Sequence, residues 1–94
     1  MDLFYILLNQ HEFSVQQLIY AELPWTLQSR AIMIEATPSP CTLITVDQTE
    51  YRFFLPLMLV RRLLGFYSHQ NLCFSETCQR LIEFASGQRQ HSPF

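Results

Sequence analysis

The sequence predicts a small α+β fold, in which an antiparallel sheet of two to four strands packs against amphipathic helices. Three observations carry that expectation. Residues 41–55 alternate β-branched and aromatic side chains around a short polar break. Residues 57–69 collect their large apolar side chains on one arc of a helical wheel, and residues 75–87 hold the start and stop signals of a further helix. The strands are assigned to residues 30–55, with residues 3–8 as a further candidate, and the helices to residues 15–23, 57–69 and 76–86.

In chain order, Leu3–Leu8 is an apolar run too short for periodicity to choose between strand and helix. Its aromatic and β-branched content leans to strand, while Asp2 would serve a helix as N-cap. Next, Ser14 and Gln17 have the spacing of a capping box, and Phe13 and Leu18 that of a hydrophobic staple. This predicts a helix over 15–23, stopped by Pro24. Residues 30–36 and 41–46 read as strands on either side of the turn-rich Thr37-Pro38-Ser39-Pro40, and 50–55 as the strand returning after Asp47-Gln48-Thr49. The expected arrangement is a two- or three-stranded antiparallel meander.

Pro56 stands where a helix favours proline, at its first position. On the wheel for 57–69, Leu57, Leu59, Val60, Leu63, Leu64, Phe66 and Tyr67 share one arc of about 180°. Met58, Arg61, Arg62, Gly65, Ser68 and His69 fill the other, so both arginines are expected on the wet side. For the last helix, Ser75 is the expected N-cap, Glu76 suits the positive helix start, and Gly87 is the expected stop. At 94 residues the chain makes one globular domain, placed at residues 1–87, with 88–94 a flexible C-terminal tail.

Composition narrows the function classes. The chain is 49% apolar and 14% aromatic, but only 15% of its residues are charged, against about 25% in a typical soluble domain. All six basic residues are Arg, which reads either as an interface signature or as a compositional bias that replaces Lys with Arg and Gln. So few charges on so apolar a chain leave apolar surface for a partner or a second copy to cover. The net charge of −2 disfavours nucleic acid, which a basic patch normally holds. No run approaches the roughly 20 apolar residues of a membrane span, and Asp2 occupies the place of a basic signal-peptide start. A membrane-surface role is also disfavoured, because two arginines are thin for anionic lipid. Cys41, Cys73 and Cys78 have no zinc or redox spacing and read as reduced thiols, which places the chain in the cytoplasm.

No catalytic motif is present. The three histidines are scattered, two glycines cannot make a phosphate-cradling loop, and no metal or cofactor is expected. The reading is therefore a small non-catalytic protein–protein interaction module: an adaptor, regulator or assembly factor. It would act through an apolar and aromatic surface and an Arg-bearing helix, on a protein partner or on itself as a homodimer. Arg61, Arg62 and His69 are the candidate partner-binding residues on that helix. Trp25 is the fourth, either an interface anchor or a lid on the core. The alternative is a DNA-binding regulator of helix-turn-helix or winged-helix type centred on residues 13–55.

Overall fold

Asp2 settles the first ambiguity. Its Oδ1 accepts from the Tyr5 N–H at 2.8 Å, so Leu3–Leu8 forms helix α1. Leu3, Ile6 and Leu7 enter the core, each worth roughly 1.5–3 kcal/mol of burial. The computed structural model describes residues 1–37, 41–71 and 73–90, with only the backbone of 88–90. After α1 and a 3-10 turn at Gln10–Glu12 come strands β1 (Gln17–Ala21), β2 (Ala31–Glu35), β3 (Leu43–Val46) and β4 (Thr49–Pro56). Helix α2 (Leu57–Tyr67), a 3-10 turn at Ser68–Gln70 and helix α3 (Phe74–Gln90) complete the order. The fold is the expected small α+β class, with a four-stranded antiparallel sheet and three helices.

Two expectations within that class are corrected. Residues 15–23 do not form a helix. Ser14 does start a turn, with its hydroxyl accepting from the Gln16 N–H at 3.2 Å and its carbonyl from the Gln17 N–H at 3.0 Å. The chain then runs straight into β1. The reason is tertiary: β1 lies between β2 and β4 and pairs along both edges, which no local cap can match. The sheet order is accordingly β2-β1-β4-β3 and not a meander through 30–55; only β3 and β4 form the expected hairpin.

Helix ends also moved. Helix α2 stops at Tyr67, and Asn71 beyond the 3-10 turn takes the left-handed conformation (φ 55°) usual for a residue that closes a helix. Helix α3 begins at Phe74, one residue before Ser75, and passes through Gly87 to Gln90. The expected tail therefore starts as helix, and its residues 91–94 lie outside the described residues, as do 38–40 of the proposed proline turn.

One face of the sheet meets the helices. Ile19, Ala21, Ala31, Phe54 and Leu55 form one core with Leu57 and Val60 of α2 and Cys78, Leu81, Ile82 and Ala85 of α3. The register between β1 and β4 steps between Ile19 and Tyr20, since Ile19 faces Leu55 and Tyr20 faces Phe53. Phe54 is the extra residue in that bulge, and its ring meets Trp25 edge-on at 5.0 Å. On the other face, Tyr20 packs edge-on against Phe53 at 5.6 Å, and its hydroxyl donates to the Cys41 carbonyl. The chain leaving β2 for the far edge of the sheet thus comes back against this face at Cys41.

Candidate functional site

The four candidate residues have different environments. Trp25 is a core residue, 9% exposed, whose Nε1–H donates to the Ala21 carbonyl at 3.2 Å. That is the core-lid alternative of the sequence reading. Arg61 turns inward, against the expectation of a wet position. Its Nε–H donates to Gln10 Oε1 at 2.6 Å, and its Nη2 donates to the Gln10 and Phe13 carbonyls at 2.7 and 2.8 Å. It anchors the segment after α1 onto α2. Arg62 and His69 are exposed, Arg62 on α2 and His69 in the 3-10 turn that follows.

Arg62 borders an open groove of about 380 Å³ at the junction of β4 and α2. Pro56, Met58 and Leu59 come from that junction, Val15 and Leu18 from the entry to β1, and Ala36 from the end of β2. The polar groups on its wall are those of Gln16 and Arg62. Three separated stretches of sequence meet here because Leu18 pairs with Ile34 on one side and Pro56 on the other. The sequence left one local trace of the groove. Met58 was the lone large apolar side chain on the polar arc of α2, and it stands at i, i+4 to Arg62. Met58 is 53% exposed, as is usual for a binding surface and unusual for a core. Phe66, expected on the buried arc, is 60% exposed, so this helix shows apolar surface on both sides of its core contact.

A second hollow, about 310 Å³, gathers Glu22, Leu23, Glu50 and Arg52 at the opposite end of the β1–β4 pair. The sequence reading did not bring Glu22 and Glu50 together; they meet through the pairing of Ala21 with Arg52. Among the described residues, no three of His, Cys, Asp and Glu are grouped to hold a metal ion. None of the described helices is long and apolar enough to cross a membrane. The described residues of 13–55 contain no α-helix, so the two helices that a helix-turn-helix there would need are absent from them.

Burial shifts two titrations. The Cys78 thiol, fully buried beside α2 and the sheet, is pushed up to about 12. The Tyr20 hydroxyl is raised as well, by burial first and by the nearby Cys41 second. No family model, curated protein or solved structure matches this chain.

Proposed function

We propose that this chain is a small non-catalytic protein–protein interaction module, an adaptor, regulator or assembly factor of the cytoplasm. It docks its partner in the groove between β1 and α2. The observation that carries this reading is an apolar groove with a solvent-exposed Met58 on its wall and a guanidinium at its edge. Interfaces favour this combination of a few apolar anchors with Arg. The remaining exposed apolar side chains of the helices, Tyr5, Leu8 and Phe66, extend the surface that a partner or a second copy would cover. Three free cysteines, two of them exposed, suit a reducing compartment.

The test is affinity purification of the full chain and its Met58→Asp variant from the cells that express it, with quantitative mass spectrometry. Met58 is exposed, so the variant folds, and a partner held by the groove is depleted from it. Partners retained equally by both proteins, or a monodisperse monomer that retains none, would overturn the assignment.

A further inference from the structure

We infer that the groove takes an apolar segment of a partner protein bearing a carboxylate, and that Arg62 pairs with that carboxylate. The inference rests on the docking reading and adds the chemistry of the occupant. All eight Asp and Glu lie among the described residues. Among those residues the one ion pair is Arg80 with Glu83, at 4.0 Å. Among the described residues, no Asp or Glu side chain lines the groove. Arg62 makes no hydrogen bond or ion pair among the described residues, while its neighbour Arg61 donates to neutral oxygens only. Among the described residues, two adjacent positive charges on α2 are therefore left without a neutralising partner, in a chain whose net charge is −2. No side chain caps the N-terminus of α2, and the field of that helix start has the same sign.

The contrast with Arg52 sharpens the assignment. Arg52 shares its hollow with two carboxylates, Glu22 and Glu50, so the charge gathered there is net negative and repels a further carboxylate. The Arg62 groove offers apolar walls and an uncompensated cation, the complement of an acidic, apolar peptide. Its volume is at the small end of the roughly 300–1,000 Å³ of ligand pockets, which suits a few anchoring side chains and not a whole domain face.

The probe is a phage-displayed library of random 12-residue peptides, selected against the full chain and its Arg62→Glu and Met58→Asp variants, with Arg62→Gln added for affinity measurements. Circular dichroism and thermal melts establish that each variant is folded. The wild type should enrich peptides that place Asp or Glu beside a pair of apolar residues. Arg62→Gln should weaken the best of them by about two- to fivefold, the range set by exposed ion pairs, and the loss should shrink in high salt. Arg62→Glu should reject them and enrich Lys- or Arg-bearing peptides instead. Met58→Asp should bind neither set. Acidic peptides that bind Arg62→Glu unchanged but lose affinity for Met58→Asp would overturn the carboxylate pairing and leave the docking groove standing. Peptides indifferent to both variants would overturn the groove as well. A wild type that enriches nothing, yet binds decanoate or dimerises in a Met58-dependent way, would replace the peptide with a lipid or a second copy.

Discussion

Arg61 on α2 is tied to Gln10, 51 residues away, through a 2.6 Å bond to its side chain and a 2.7 Å bond to its carbonyl, with the Phe13 carbonyl completing the set. A guanidinium can serve three acceptors in one plane, whereas an ammonium on a flexible stem cannot reproduce that fork. Arg61→Lys should therefore cost nearly as much as Arg61→Ala, on the order of 2 kcal/mol, since bonds to a charged group contribute about 1.5–3 kcal/mol. Urea denaturation of the two variants and of Arg62→Ala checks this. Arg62→Ala should stay within about 0.5 kcal/mol of the wild type, as surface substitutions usually do. Equal effects at 61 and 62 would count against the anchor.

Trp25 joins the loop after β1 to the bulge of β4, through its contact with Phe54 and its bond to Ala21. Removing the ring leaves a cavity in the core, so Trp25→Ala should destabilise by about 3–5 kcal/mol. Trp25→Phe should keep most of the packing and lose less. Circular dichroism followed in urea measures both. An alanine variant as stable as the wild type would place Trp25 outside the core.

The β3–β4 hairpin turns at Asp47 and Gln48, both with positive φ, 50° and 67°. Those values, with Val46 paired to Thr49, belong to the two-residue hairpin turn that favours Asn-Gly and Asp-Gly. A non-glycine residue in that region costs about 1–2 kcal/mol, partly offset on substitution by the extra freedom glycine gives the unfolded chain. Gln48→Gly should stabilise by about 0.5–1 kcal/mol and raise Tm by a few degrees. Asp47→Gly should give less, because Asp tolerates this conformation better. A lower Tm for Gln48→Gly would exclude the turn.

The elements read correctly from sequence are those fixed by their own neighbours in the chain. Helix α2 shows an apolar arc and a leading Pro56, and the β3–β4 hairpin shows alternation around a polar turn. Residues 15–23 mimic a helix in sequence because five residues of β1 are too few for periodicity to outvote the Ser14 turn, and partners from residues 31–35 and 52–56 decide the outcome. The wet position that the sequence predicts for Arg61 fails for the same reason. A wheel knows nothing of Gln10 and Phe13, which open and close the 3-10 turn after α1. The groove shared this limit: Val15, Ala36 and Met58 become neighbours only once β1 is inserted between β2 and β4.

Alkaline pH provides the last test, because all six cations are Arg and no Lys titrates before them. Burial raises the folded-state pKa of Cys78 from 9.0 to about 12, and that of Tyr20 above 10.0. In both cases the native protein holds a proton that the unfolded chain releases. The stability this contributes is complete below the unfolded-state values and is lost as pH rises through the interval up to the folded ones. Urea midpoints should therefore change little through this term up to about pH 9 and fall steadily above it. Cys78→Ala lowers the midpoint at every pH through its cavity, but it should fall less steeply between pH 9 and 11, since one of the two proton-holding groups is gone. Tyr20→Phe should likewise flatten the profile above pH 10. Parallel curves for wild type and Cys78→Ala would mean that this thiol is not held protonated by the core.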